Sequence, residues 1–153
     1  MAQGFVILAV GRAKRGPEKD LFDMYLTRMR PRPELIEVED RKGGDDGLKA
    51  REAALLSEKI PADCVLVALD ERGESLDSVA LARRVGDWRD RGRGRVAWVI
   101  GGADGLDPAL RQRADLVLSF GKLTWPHMLV RAMLAEQLYR VETILAGHPY
   151  HRA

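Results

Sequence analysis

Short apolar runs alternate with longer amphipathic segments along the whole chain. Residues 5–10, 64–69 and 95–100 are nearly continuous apolar runs rich in β-forming side chains, which is typical of strands covered on both faces. Two shorter runs, at residues 35–39 and 116–120, complete the five strands that the pattern predicts. Because residues 35–39 include two glutamates, we expect that strand nearer an edge of the sheet.

Helical periodicity fills the intervals between these runs. Pro17 suits a first helical turn, and Asp77 and Asp107 are placed as side-chain N-caps. The predicted helices cover residues 17 to about 29, 48 to about 59, 77 to about 89, 107 to about 114, and a long terminal segment from Pro126 to Ala146.

Apolar side chains mark the face that each helix is expected to bury. In the first helix, this face holds Leu21, Met24, Tyr25 and Met29. In the terminal helix it is a broad stripe made of Val130, Met133, Leu134, Leu138, Val141, Ile144 and Leu145. The alternation of strand and helix, with no linker or repeat, predicts one α/β domain over residues 1–153, with a mostly parallel sheet covered by helices on both faces.

Composition narrows the class of protein only slightly. The net charge of +2 permits a nucleic-acid partner without requiring one, although basic residues crowd the segments 12–15, 28–32 and 89–95. A single cysteine, Cys64, excludes an internal disulfide. Since no apolar stretch reaches about 18 residues, nothing is expected to span a membrane, and the expected location is the cytoplasm.

Three glycine-bearing segments follow predicted strands and are candidate ligand loops. They are residues 69–73, taken as a turn, residues 100–105, and residues 120–126. Ligands of open parallel sheets bind beyond the carboxyl ends of the strands, and glycine lets the backbone approach them closely. Turn formation alone is the simpler explanation for any one of these loops. Three on one edge of a sheet favour a binding site.

Familiar signatures of other enzyme classes do not fit the chain. The spacing of Gly101, Gly102 and Gly105 differs from a dinucleotide fingerprint, and Gly121-Lys122 is followed by leucine rather than by the serine or threonine of a phosphate-binding loop. His127, His148 and His151 do not form a zinc motif, so no metal is expected.

The end of the chain is unusual in composition. His148, Pro149, Tyr150, His151 and Arg152 follow the terminal helix and cannot form a core; fraying is the usual fate of such residues. Within the helix, Glu136 and Arg140 are spaced for a surface ion pair, and a functional role is equally open. Arg131 is expected near the 121–126 loop, within reach of a ligand or phosphate.

Five ordered motifs give the chain a family resemblance. They are Leu69-Asp70-Glu71-Arg72-Gly73, Ile100-Gly101-Gly102-Ala103-Asp104-Gly105, Leu123-Thr124-Trp125-Pro126-His127 with Leu129-Val130-Arg131, Glu136-Gln137-Leu138-Tyr139-Arg140, and His148-Pro149-Tyr150-His151-Arg152. Together they closely resemble the RlmH family, the small bacterial methyltransferases of the SPOUT superfamily that act on a pseudouridine of the large ribosomal subunit.

The resemblance implies a trefoil knot in the C-terminal part, a homodimer, and S-adenosylmethionine as methyl donor. The implied reaction is methylation of N3 of a pseudouridine in a 23S rRNA hairpin loop of the assembled ribosome. The positions that match the family's cofactor-binding stretches are Leu69, Gly101, Gly102, Gly121, Lys122, Leu123, Thr124, Trp125 and Pro126.

Catalytic roles then fall to the tail and to one helical arginine. His151 is a candidate base or proton relay, Arg152 or Arg131 would stabilise the anion of the target base, and Tyr150 offers a ring for stacking on an unpaired base. In a two-fold dimer, the basic N-terminal segment would extend the RNA surface. Two rival hypotheses are a non-catalytic ribosome-binding or RNA-binding module and a nucleotide-binding enzyme of another chemistry.

Overall fold

Residues 3–152, the part of the chain that the computed structural model describes, form a five-stranded parallel sheet. The strands are β1 (Gly4–Val10), β2 (Glu34–Val38), β3 (Val65–Ser75), β4 (Arg95–Ile100) and β5 (Leu116–Ser119). Their order is β2-β1-β4-β3-β5, and each neighbouring pair is parallel. The predicted edge position of β2 is therefore confirmed.

Helices cover both faces of this sheet, as the alternating pattern predicts. They are α1 (Pro17–Thr27), α2 (Leu48–Lys59), α3 (Ser78–Asp90), α4 (Pro108–Arg113) and α5 (His127–Ala146). The predicted caps are present: Asp77 accepts a hydrogen bond from the backbone N–H of Ala80, and Asp107 accepts one from Ala109. Among the described residues, no helix is both long and apolar enough to cross a membrane.

Two hydrophobic layers hold the helices on the sheet. On one face, α1, α3 and α5 pack on β-strand side chains that include Ile7 and Trp98, both without solvent exposure. On the other face, α2 and α4 pack through Leu56 and Leu110. Because α5 contributes the fully buried Leu134 and Leu138, its middle is fixed on the sheet and both of its ends have defined positions.

The structure corrects the prediction for the end of β3. Residues 70–73, predicted as a turn, continue the strand, which pairs again with β5 after a shift of register between Leu69 and Glu74. Gly73 makes this possible, since a Cβ there would lie 2.5 Å from the backbone oxygen of Val117. The sequence pattern missed this extension because residues 70–75 are polar, whereas strands are recognised by apolar content.

The buried face of α1 was predicted correctly only in part: Met29 is buried and Tyr25 packs against the core, as expected. Leu21 and Met24 are exposed, and the core instead receives Phe22 and Leu26 from this helix. Leu145, assigned to the stripe of α5, is 40% exposed as well. These three side chains are apolar groups that the single chain leaves in contact with solvent.

Strand order places the candidate loops together. Since β4, β3 and β5 are parallel neighbours, their carboxyl ends share one edge of the sheet, and the segments that follow them meet there. The α/β fold is thus confirmed. The trefoil knot in the C-terminal part is consistent with this fold and stays a prediction.

Candidate functional site

A cleft of about 280 Å³ lies at this edge, between the segments that follow β3, β4 and β5. Its wall combines apolar side chains with glycine backbone and charged groups, the usual makeup of a small-molecule site. Its lining includes Lys49, Leu69, Asp70, Glu71, Arg72, Gly101, Gly102, Asp104, Leu118, Phe120, Gly121, Leu123, Thr124, Trp125, His127 and Val130.

The segment after β4 forms a compact glycine turn in the cleft wall. The backbone N–H of Gly105 donates to the oxygen of Gly102 at 3.0 Å. A Cβ on Gly101 would lie 2.8 Å from the backbone of Gly105, and one on Gly102 would lie 3.3 Å from a methyl group of Val10. Any larger side chain would therefore displace this turn, which brings bare backbone to the surface of the cleft.

The segment after β5 forms the opposite wall. Gly121 adopts φ +106°, and its N–H donates to the hydroxyl of Ser119 at 3.0 Å. The indole N–H of Trp125 donates to the oxygen of Phe120 at 3.2 Å, while Leu123 is 71% exposed. Apolar side chains on a loop at the mouth of a cleft are suited to cover a ligand rather than to fill a core.

Charged groups of both signs lie around the cleft, whose lining includes Lys49, Asp70, Glu71, Arg72 and Asp104. The Asp70 carboxylate is nearly buried and lies 3.8 Å from Arg111, while it accepts a hydrogen bond from the backbone of Arg72. Glu52 lies beside Gly102, and desolvation, followed by the charge of Asp104, raises the pKa of its carboxyl group. Such surroundings favour a ligand that carries groups of both charges.

This chemistry fits S-adenosylmethionine. Its sulfonium and ammonium groups suit the acidic residues of the wall, its carboxylate suits the basic ones, its adenine suits the apolar side chains, and the glycine turn leaves room for close approach of the backbone. Gly101 is decisive in this respect, because a Cβ there would lie 2.8 Å from the backbone of Gly105 and the turn would have to shift.

Most of the predicted cofactor residues line the cleft together. These are Leu69, Gly101, Gly102, Gly121, Leu123, Thr124 and Trp125. Lys122 and Pro126 belong to the same loop but are not among the lining residues of the described part of the chain. Lys49, from the start of α2, also lines the cleft, although its local sequence carries no signal of such a role.

Arg131 does not lie where the sequence analysis expected it. Its side chain is 3% exposed and points to the end of β1, where it donates to the carboxylate of Glu37 at 2.5 Å and to the backbone oxygens of Val10 at 3.2 Å and Gly11 at 3.0 Å. With its donors engaged in this way, the guanidinium ties the start of α5 to the sheet instead of reaching into the cleft.

The tail after α5 is docked rather than frayed. The ring of Tyr150 packs edge-on against Tyr139, with centroids 4.7 Å apart, and its hydroxyl donates to Glu136 at 3.0 Å. Arg140 lies over the same ring and completes the predicted ion pair with Glu136, through two hydrogen bonds of 3.1 and 2.8 Å. Glu136 is therefore the anchor of the tail.

The contact of His151 fixes which of its ring nitrogens carries the hydrogen. Arg140 is a permanent donor and lies 3.2 Å from Nδ1, so Nδ1 accepts and Nε2 is protonated. Nε2 is buried without a hydrogen-bond partner among the described residues. In this position, neither nitrogen offers a lone pair to a substrate, and action as a base requires the ring to leave the contact.

An apolar groove of about 680 Å³ runs between the cleft and the docked tail. It shares Leu118, Phe120 and Gly121 with the cleft and reaches Tyr25 and Glu136 of the tail cluster. Leu21, one of the exposed side chains of α1, lies on its wall. Of the described residues, none from 148–152 lines the cleft, so one chain keeps the predicted cofactor residues and the predicted catalytic tail apart.

Comparisons with known proteins agree with this geometry. Residues 4–151 match the family model described as "Predicted SPOUT methyltransferase". The Ribosomal RNA large subunit methyltransferase H of Rhodospirillum centenum is 58% identical over 149 residues, covering 96% of this chain and 97% of that protein. The protein of the same name from Paramagnetospirillum magneticum is 57% identical over 148 residues, with 96% and 97% covered.

A solved structure supports the fold independently. A probable methylase family protein from Haemophilus influenzae matches 100% of this chain and 72% of its own, with a TM-score of 0.57 and 13% sequence identity. The family resemblance drawn from the five motifs is thereby confirmed, and with it the expectation of an S-adenosylmethionine-dependent enzyme. The chain belongs to the SPOUT methyltransferases, and within them to the family of the ribosomal RNA large subunit methyltransferase H proteins.

Proposed function

We propose that the protein methylates N3 of a pseudouridine in a hairpin loop of 23S rRNA, within the assembled ribosome. The observation that carries this proposal is the glycine-walled cleft formed by the very segments that resemble the family's cofactor loops. With ribosomes as substrate, the protein acts in the cytoplasm.

S-adenosylmethionine supplies an activated methyl group when it is bound in the cleft. We assign its binding to Leu69, the 101–102 backbone and the loop of residues 121–126, in which Lys122 and Pro126 act by shaping the loop. The acidic residues Asp70 and Asp104 favour the cationic donor over the neutral thioether product. This difference promotes release of the product after transfer.

Transfer is an in-line displacement: the bond from sulfur to the methyl carbon breaks as the bond from carbon to N3 forms. The electron pair of the broken bond stays on sulfur, and the N3 proton must leave the base. We assign His151 to accept or relay this proton, Arg152 to stabilise the anion, and Tyr150 to stack on the base. Arg131 contributes by holding the cleft wall in place, since its side chain is buried and engaged.

A homodimer would bring the two halves of the site together. The tail of one chain lies outside that chain's own cleft, and the apolar groove between them offers a surface for a second copy. Leu21 and Met24, both exposed in the single chain, favour such docking. In this arrangement, the tail of one subunit completes the cleft of the other.

The alternative of a non-catalytic RNA-binding module is disfavoured by the cleft. A protein that only binds RNA needs basic and aromatic surfaces, and it has no use for a small-molecule pocket walled by bare glycine backbone. The same pocket lacks a phosphate-binding signature, which disfavours a nucleotide-binding enzyme of another chemistry.

Two measurements test the proposal. Calorimetric titration with S-adenosylmethionine should show binding to the wild-type protein, which a pure RNA-binding module would lack. Incubation of ribosomes from a strain without the modification with methyl-labelled S-adenosylmethionine should then label 23S rRNA, and mass spectrometry of digested rRNA should find N3-methylpseudouridine. Binding of the cofactor without labelled rRNA would exclude the proposed substrate.

A further inference from the structure

The loop that follows β1 is strongly basic and has an unusual anchor. Arg12, Lys14 and Arg15 are exposed, and Arg12 alone approaches a carboxylate, that of Glu39 at 3.9 Å. Among the described residues, Lys14 and Arg15 have no ion-pair partner. Three cations on a six-residue connection, residues 11–16, repel one another, so an open loop would otherwise sample many positions.

Glu37 holds this loop at its centre. One carboxylate oxygen, Oε2, accepts the backbone N–H of Ala13 at 2.6 Å and the Nη1 of Arg131 at 2.5 Å. The other guanidinium nitrogen of Arg131 binds the carbonyls of Val10 and Gly11, where Gly11 leaves the strand with φ +96°. A single carboxylate therefore joins β2, the basic loop and the start of α5.

The anchored loop lies next to the cofactor cleft. A methyl group of Val10, the last residue of β1, is 3.3 Å from the position of a Cβ on Gly102, in the cleft wall. The helix that supplies Arg131 also supplies His127 and Val130 to that wall. The basic loop thus starts one residue beyond a cleft contact, on the edge of the sheet where a target base would enter.

We propose that Lys14 and Arg15 bind backbone phosphates of the RNA substrate, and that Glu37 is the positioning residue that presents them beside the cleft. This proposal rests on the proposed RNA substrate and deepens it. The phosphodiester groups that flank a splayed-out base carry the charge that such a loop recognises. A carboxylate in a phosphate-binding region is otherwise unfavourable, and its hydrogen bonds to Ala13 and to the buried Arg131 explain its presence.

The test measures KM for ribosomes and kcat in the labelled-methyl assay over a series of KCl concentrations. Removal of both cations, in Lys14→Ala/Arg15→Ala, should raise KM roughly tenfold and leave kcat and cofactor affinity unchanged. The slope of log KM against log salt should fall by roughly 1 for each phosphate contact removed. Lys59→Ala, which removes an exposed cation at the end of α2, on the opposite edge of the sheet, is the matched control and should change neither.

The variant Glu37→Gln separates positioning from simple charge. It removes a negative charge near the loop, so electrostatics alone would lower KM for RNA, whereas loss of the anchor should raise it. Ala13→Pro removes the N–H donor to Glu37 and leaves the ion pair with Arg131 intact, so it should also raise KM. This variant tests the anchor even if Glu37→Gln folds poorly.

These measurements distinguish failure of the phosphate-binding proposal from failure of the proposed methyltransferase function. If wild-type protein does not label ribosomes, the proposed function fails. If it labels them and the double variant keeps the wild-type KM and salt slope, the loop does not bind phosphate. A KM that falls in Glu37→Gln and is unchanged in Ala13→Pro would overturn the positioning role.

Discussion

The two ends of α5 carry the two halves of the proposed site, and they are held in opposite ways. At the start, Arg131 is buried and bonded to residues about a hundred positions away in the sequence, at the ends of β1 and β2. At the other end, Tyr150 and His151 are held mainly by Glu136 and Arg140 of the same helix, in half-exposed contacts. The start of α5 is thus tied into the sheet, whereas the tail rests mainly on the surface of its own helix.

The largest difference between the two ends should appear in stability. Arg131→Met leaves the backbone carbonyls of Val10 and Gly11 without their donor and removes the partner of the more exposed Glu37, so we expect a loss of about 1–3 kcal/mol in the free energy of unfolding. Urea denaturation measures it. Arg152→Met, at the exposed tail, should change the free energy by less than about 0.5 kcal/mol. Equal losses at both ends would contradict the comparison.

A smaller effect concerns the affinity of the cleft for S-adenosylmethionine. Gly101→Ala places a methyl group 2.8 Å from the backbone of Gly105, so the turn must shift and the affinity for S-adenosylmethionine should fall by at least about tenfold, or about 1.4 kcal/mol. Gly86→Ala is the matched control, since its methyl group would meet only the flexible side chain of Leu145 at 3.2 Å. Calorimetric titration decides between them, and equal affinities in both variants would place the cofactor elsewhere.

The smallest effect concerns the tail itself. Tyr150→Phe removes the hydrogen bond to Glu136. Because the tail is partly exposed, this should lower the free energy of unfolding by at most about 1.5 kcal/mol. Proximity to the hydroxyl of Tyr25, with burial and Glu136, raises the pKa of the Tyr150 phenol above its ordinary value of 10.0. The folded chain therefore keeps this proton longer than the unfolded chain does.

Because of this difference in pKa, the stabilisation by the hydrogen bond should depend on pH in alkaline solution. Its contribution to stability is fully present below the ordinary pKa of a tyrosine and is lost as the pH rises above it. Thermal unfolding at pH 9 and pH 11 should show a larger fall for the wild-type protein than for Tyr150→Phe. The same fall in both proteins would mean that the tail is free in solution.

The fold was largely predictable because its strands are buried on both faces. Such strands are continuous apolar runs, and β1 and β4 are found where the pattern places them. The end of β3 was not predictable, since it pairs through polar residues and depends on the backbone contact of Gly73. The face of α1 was misread for a related reason, because Leu21 and Met24 are apolar without packing in the single chain.

The cofactor loops were found through glycine and family motifs, whereas the anchors of the site were not. Arg131 and Glu37 are separated by 94 residues, and their contact follows from the packing of α5 across the ends of β1 and β2. The docking of Tyr150 on Tyr139 and Glu136 likewise depends on where the chain turns after Gly147, which adopts φ +69°. Local sequence patterns do not predict contacts of this kind.

Subunit complementation tests most directly whether the cleft and the tail of different copies form one site. Gly101→Ala disables the cleft and His151→Ala disables the tail, and each variant alone should label ribosomes poorly. After the two are unfolded and refolded together, about half of the dimers are hybrids, each with one intact site, so about a quarter of wild-type activity should return. Activity that stays at the level of the separate variants, although hybrids are shown by mass spectrometry, would contradict a site shared between subunits.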